Sequence, residues 1–250
     1  MSASSPLAIV IIAAGKGTRM RSPLAKVLHP LAGRPLITHV LDVAASLAPQ
    51  QIVVIVGHQA DAVRQVCAPY GVACVLQEPQ LGTGHAVAQA EAVLADFLGD
   101  VLILYGDVPL VQPDTLRALW ETHQRQQATL TVLTALLDNP TGYGRIVRDS
   151  AGRIARIVEE RDASAAEKAL REINSGVYCL QAPFLFPALH QVGRGNAQGE
   201  QYLTDVVAIA VAEQRRVADL TVADAYEVCG VNTPDELTQL ETWLQQRQHS

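Results

Sequence analysis

The sequence predicts an α/β fold with a mostly parallel sheet and helices on both of its faces. Two observations carry this. Short apolar, β-branched runs alternate with amphipathic helical stretches through the first half of the chain. The runs themselves are apolar without alternation, as in strands covered on both faces.

Taken in order, the β-like runs of the first half are residues 9–13, 52–56, 73–76 and 101–105. Residues 35–47 carry Leu36, Ile37, Val40, Leu41 and Ala44 at helical spacing. Pro35 is placed to open that helix, since a first-turn proline loses no hydrogen bond. Residues 59–67, 84–98 and 113–127 read as helices on the same grounds. In the second half, residues 129–137 read as a long strand. Residues 143–148 and 153–159, joined by Asp149-Ser150-Ala151-Gly152, read as a hairpin. Residues 176–180 form a further strand, and residues 182–190, 203–212 and 234–246 read as helices, with Thr233-Pro234 opening the last. The expected organisation is one domain over 1–250: a first half at about 7–128, a β-rich lobe at about 129–232 on the same sheet, and a C-terminal helix from 233.

Composition narrows the function. Apolar residues at 49% and charged residues at 18% supply a large core and exclude a disordered chain. With 19 Lys and Arg against 25 Asp and Glu, the net charge of −6 argues against a nucleic-acid partner, which needs a clustered basic face. It leaves room for an anionic small molecule bound by a few local cations. The longest apolar runs fall well short of a membrane span, and the N-terminus lacks the basic start of a secretory signal. Cys67, Cys74, Cys179 and Cys229 form no CxxC pair and no zinc-like spacing. Reduced thiols in a cytoplasmic protein are expected.

The strongest local motif is AAGKGTRM at 13–20, directly after the first strand. Its glycines let the backbone approach a ligand and point N–H groups into one concavity, which favours anions such as phosphate. Lys16, Arg19 and Lys26 add positive charge. The loop is not a Walker A sequence, and Met20 stands where a dinucleotide fingerprint needs glycine. By itself a GxG turn is equally an ordinary glycine turn. YGDVPL at 105–110 puts Asp107 at the carboxyl end of a strand, fit to hold Mg²⁺ or equally to cap a turn. Gln77 followed by LGTGHA at 81–86 offers an amide and a glycine turn able to read a base edge, with Thr83 a possible helix cap. Asn232 alone reads as a turn residue before Thr233-Pro234.

Read together, AAGKGTRM, KVLH (26–29), LQ-x3-LGTGHA (76–86), YGDVPL, PTGYGRI (140–146), IVEERDA (157–163), INSG (173–176), QGEQYLTD (198–205) and GVN (230–232) resemble the sugar-nucleotide pyrophosphorylases. The blocks span about residues 7–240 in the family's order. They are most similar to the uridylyltransferase domain of the bifunctional enzymes that make UDP-N-acetylglucosamine. The resemblance implies a Rossmann-like nucleotidyltransferase fold with a mostly parallel mixed sheet and a β-rich sugar-binding lobe. It implies Mg²⁺-dependent uridylyl transfer from UTP to N-acetylglucosamine 1-phosphate, giving UDP-N-acetylglucosamine and pyrophosphate, a precursor of cell-wall polymers.

The resemblance also assigns residues. Ala13, Ala14 and Gly15 would hold UTP, with Arg19 and Lys26 on its phosphates as the catalytic cations. Gln77, Gly82 and Thr83 would read uracil. Gly144, Glu159 and Asn174 would hold the amino sugar. Asp107 and Asn232 would ligate Mg²⁺, Asn232 also meeting the sugar phosphate. Glu159 and Asn174 are expected to converge if their strands lie side by side. Two positions depart from the family. Ala25 replaces the usual proline before Lys26, which is expected to loosen that loop. Glu160, Arg161 and Asp162 replace an aromatic or histidine, lysine and aspartate, so Glu160 is expected to bring extra negative charge to the sugar site. The family's second domain, a hexapeptide-repeat β-helix for acetyl transfer that also trimerises those enzymes, has no repeat within these 250 residues, which read equally as a separate uridylyltransferase or as one domain of a longer chain. No acetyl transfer is expected from this chain, and no trimer is assumed. The competing readings are a pyrophosphorylase for another sugar phosphate or base, and a non-catalytic nucleotide sensor.

Overall fold

The computed structural model describes residues 5–248. The start of the N-terminal reading, residues 1–4, and the last two residues of the C-terminal segment lie outside them. In chain order the elements are β1 (Leu7–Ala13), β2 (Pro30–Leu31), β3 (Arg34–Pro35), α1 (Leu36–Ser46), β4 (Gln51–Val56), α2 (Ala60–Cys67), β5 (Ala73–Leu76), α3 (Thr83–Ala88), β6 (Asp100–Tyr105) and α4 (Pro113–Arg125). There follow β7 (Leu130–Leu136), β8 (Arg145–Arg148), β9 (Ile154–Val158), α5 (Ala165–Lys168), β10 (Glu172–Gln181), α6 (Ala182–Gln191), α7 (Asp205–Ala212), β11 (Val217–Thr221) and α8 (Pro234–Gln248).

The main sheet runs β11-β7-β10-β6-β1-β4-β5, with the β8–β9 hairpin branching from β10. β5, β4, β1 and β6 are parallel, β10 is antiparallel to both β6 and β7, and β11 is parallel to β7. β1 shows why its sequence reads as a central strand. Ala8, Val10 and Ile12 enter the core on one face, and Leu7, Ile9, Ile11 and Ala13 the core on the other. The side chains alternate faces while the sequence does not alternate in polarity, because both faces are covered. Burial of each such Val, Leu or Ile stabilises by roughly 1.5–3 kcal/mol. A smaller cluster packs Met20, Leu31, Leu36, Leu110 and Val231 against Leu240 of α8. Met20 is therefore a core anchor, which is why no glycine is needed there. No helix among the described residues is long and apolar enough to cross a membrane.

The mixed, mostly parallel sheet is the expected one. Four local readings change. The helix expected over 84–98 stops at Ala88, and Gln89, Ala90, Glu91 and Val93 donate three residues back, giving tight turns that still bury Ala90 and Leu94. Pro35 caps α1 rather than opening it. β10 begins at Glu172, with its register shifting between Asn174 and Tyr178. β2, β3, α5 and β11 have no counterpart in the sequence reading.

Candidate functional site

The carboxyl ends of parallel β1, β4, β5 and β6 lie along one edge of the sheet, where open α/β folds bind ligands. Ala13 ends β1, and Ala14, Gly15, Lys16 and Gly17 leave it. A cavity of about 800 Å³ opens here, lined among others by Ala14, Gly15, Thr18, Gln77, Gly82 and Thr83. It brings together Ala14, Gly15, Gln77, Gly82 and Thr83 of the residues expected for the nucleotide, whereas Ala13, Arg19 and Lys26 do not line it.

Gln77 follows β5 and is buried. Its Nε2 donates to the Gly82 carbonyl at 2.9 Å and lies 3.1 Å from His85 Nδ1. Those contacts fix the amide plane, and among the described residues nothing donates to its Oε1. Gly82 has φ +116°, and a Cβ there would stand 2.5 Å from the Gln201 carbonyl oxygen. Gly82→Ala should therefore lower stability by roughly 2 kcal/mol or more, read from urea unfolding. An unchanged midpoint would contradict this packing. Thr83 does not cap α3. Gly82 holds the cap position without a side-chain bond, and Thr83 Oγ1 instead accepts from the Leu203 N–H at 3.0 Å.

A second group forms beyond β6. Lys26 Nζ pairs with the Asp107 carboxylate and donates to Asn232 Oδ1 at 3.0 Å, and Arg19 donates to the same oxygen at 2.9 Å. Asn232 is brought there by the Val231 N–H, which donates to the Asp107 carbonyl at 2.9 Å. Thr233 and Glu236 cap α8 reciprocally, and Glu236 also accepts from the Asn232 N–H at 2.6 Å. Asn232 is thus more than a turn residue. Gly17 has φ +62°, and a Cβ there would meet Lys26 Cβ at 2.7 Å, so the glycine loop lies directly on Lys26.

The third group contains Gly144, Glu159 and Asn174. β9 and β10 are not neighbours, because β8 lies between them. The two side chains still converge at Gly144, just before β8. A Cβ there would lie 3.5 Å from Glu159 Oε2 and 3.6 Å from Asn174 Cβ, so the missing side chain leaves room for both. The Asn174 N–H donates to the Gly144 carbonyl at 2.9 Å, and its Oδ1 accepts from the Gly176 N–H at 3.0 Å. Thr204 donates to Glu159 Oε1 at 3.1 Å. β6 links this group to the others: a Cβ at Gly176 would stand 2.7 Å from the ring of Tyr105, the last residue of β6, and Asp107 follows two residues later.

Burial, together with Asp205, Asp162 and Glu200, pushes the Glu159 carboxyl above its usual range, against the bond from Thr204. As pH rises from the ordinary carboxylate range to that raised value, the unfolded chain sheds this proton first. Stability contributed by Glu159 is therefore lost across the window. Glu159→Gln, which keeps an acceptor for Thr204, should raise the melting midpoint at neutral pH by roughly a few degrees. A lower midpoint would refute the burial cost.

Glu160 differs from its expectation. It pairs with buried Arg145 at 2.8 Å and accepts from the Gly142 N–H at 3.3 Å. Arg145 also donates to the carbonyls of Leu170 and Tyr143. The extra carboxylate is thus neutralised and ties the 142–145 segment to the end of β9. Sequence reasoning also missed Thr204, although it stands in the quoted QGEQYLTD block.

The donor set at Asp107 and Asn232 suits a hard cation. One carboxylate and one amide oxygen are the oxygen donors such a cation takes, and in this structure both face the Lys26 ammonium. Among the described residues no group of three or more His, Cys, Asp or Glu forms an all-protein metal cage.

A glycine loop after the first strand, cations beside a carboxylate and a polar recess on a Rossmann-like sheet are the features a nucleotidyltransferase needs. Residues 9–176 match the MobA-like NTP transferase domain, and the chain belongs to that family. It is 51% identical over 242 residues to the bifunctional protein GlmU of Geobacter metallireducens, covering 96% of this chain and 51% of that protein. It is 47% identical over 249 residues to the protein of the same name from Desulfotalea psychrophila, covering 100% and 74%. With the Brevibacillus brevis GlmU it shares 51% identity over 243 residues, covering 97% and 52%. The chain spans about half the length of most of these relatives. A solved UDP-glucose pyrophosphorylase with bound UDP-glucose shares the fold, with a TM-score of 0.75, 17% identity and coverage of 97% and 99%.

Proposed function

We propose that this chain transfers the uridylyl group of UTP to N-acetylglucosamine 1-phosphate, releasing pyrophosphate. The observation that carries the reading is the meeting of Arg19, Lys26, Asp107 and Asn232 beside the glycine loop. The relatives named GlmU support the same reaction.

In this reading the Ala13–Gly15 backbone holds the triphosphate, and the free Oε1 of Gln77 accepts from uracil. Gly82 and Thr83 flank the base. Gly144 admits the amino sugar, which Glu159 and Asn174 hydrogen-bond. A phosphate oxygen of the sugar attacks the α-phosphorus in line. The bond from that phosphorus to the β-phosphate bridging oxygen breaks, and pyrophosphate leaves with the electron pair. No covalent protein intermediate is required, so the residues position and neutralise. Arg19 and Lys26 offset negative charge on the phosphates, and Asn232 also meets the sugar phosphate. Asp107 and Asn232 would hold Mg²⁺, which when bound supplies further charge neutralisation at the phosphates. The reading divides the chain into a nucleotide-binding half, a sugar-binding lobe and a C-terminal helix, with the cytoplasm as its compartment. Pyrophosphate release from UTP, N-acetylglucosamine 1-phosphate and Mg²⁺ tests it. Release with a different sugar phosphate or nucleotide alone would replace the substrate, and none with any would end the reading.

A further inference from the structure

Lys26 is delivered by a segment without regular secondary structure, residues 21–25. One side chain from another part of the fold holds it. Gln59 Oε1 accepts from the Ala25 N–H at 2.8 Å, and Gln59 Nε2 donates to the Pro23 carbonyl at 2.8 Å. One carboxamide thus satisfies a donor and an acceptor two residues apart, using both of its ends. Gln59 stands just past the buried end of β4, at the start of α2, with φ +52°. That left-handed conformation suits glycine better than glutamine, yet a long amide occupies it. Next to the clamp, Ala25 is buried and Lys26 opens the following turn, with its Nζ on Asp107 and Asn232.

We propose that Gln59 is a positioning residue for Lys26, its carboxamide locking the 23–25 segment to the end of β4 so that the ammonium stays beside Asp107 and Asn232. The catalytic consequence rests on the uridylyl-transfer reading; the positioning itself does not. The contact also explains why Ala25 need not leave the loop loose: its N–H is anchored. Its φ of −55° and ψ of 137° are open to proline, which has no N–H to anchor.

The test uses Gln59→Ala and Gln59→Gly, the second relieving the left-handed backbone so that loss of the amide is separated from strain. The chain has three lysines, Lys16, Lys26 and Lys168, so labelling by an amine-reactive ester resolves each by mass spectrometry. Both variants should label Lys26 severalfold faster than wild type, with exposed Lys168 unchanged as the internal standard. Turnover should fall roughly tenfold with KM for UTP within about twofold, the pattern of a displaced reacting group. Gln59→Ala combined with Ala25→Pro should recover turnover to within about threefold of wild type. Unchanged Lys26 labelling in both variants overturns the proposal, as does faster labelling with wild-type turnover. If the wild type itself releases no pyrophosphate, the functional reading fails, and the labelling arm alone decides the positioning.

Discussion

Asp107→Ala is expected to lower pyrophosphate release by about 10²-fold or more. Two effects add. The Asp107 carboxylate pairs with the Lys26 ammonium, which also donates to Asn232 Oδ1. Its loss removes the anionic half of the proposed Mg²⁺ donor set and breaks the ion pair of Lys26, leaving the ammonium its bond to Asn232. Asn232→Ala should act in the same direction but less, because a neutral oxygen contributes less charge, although it also removes the acceptor shared by Arg19 and Lys26. Rates measured across a range of Mg²⁺ separate the contributions. Lost metal affinity is relieved at high Mg²⁺, whereas a misplaced lysine is not. Wild-type rates in EDTA would sink the metal assignment, and a fall of less than threefold in Asp107→Ala would remove Asp107 from the chemistry.

What the sequence made legible follows from where each signal is stored. β1, β4 and β6 carry their own signature, because burial on both faces demands an unbroken apolar run. β11 reads V-A-D-L-T, and only part of it is buried, so as an edge strand its pattern is weak. α3 ends early although its apolar spacing continues, since three-residue turns bury Ala90 and Leu94 nearly as a helix would. The glycine loop, Asp107 and Gln77 sit at strand ends, where local sequence announces them. The resemblance extended this to Glu159, Asn174 and Asn232, which mean little one at a time. Gln59, Thr204 and the Arg145–Glu160 pair act across long sequence separations through hydrogen bonds and an ion pair. No periodicity or short motif encodes such contacts. Ala25 and Glu160 show the same limit from the other side: each departs from the family alone, and each has a partner in space.

N-acetylglucosamine 1-phosphate should exceed glucose 1-phosphate by roughly 10²-fold or more in kcat/KM. The argument is about unpaired groups. Asn174 Oδ1 is committed to the Gly176 N–H, which leaves its Nδ2 to donate to an acetamide carbonyl. Glu159 gives one oxygen to Thr204 and turns the other toward the space beside Gly144, where in the proposed function it would accept from a hydroxyl or amide N–H. Glucose 1-phosphate offers no acetamide, so desolvated donors and acceptors in this recess go without partners. Asn174→Ala should therefore shrink the ratio toward unity by lowering the rate with the acetamido sugar, with KM for UTP changed less than about twofold. It also strips the Gly176 N–H of its acceptor, a stability cost of about 1–3 kcal/mol that a melting curve measures separately. The sugar-phosphate KM should rise in mild acid, since the raised Glu159 carboxyl takes up its proton above the usual carboxylate range and then loses an acceptor. Paired specificity constants for the two sugars decide the matter. Equal constants in the wild type would end the assignment of this recess to the acetamide. Glu160, already spent on Arg145, could not be held responsible for the failure.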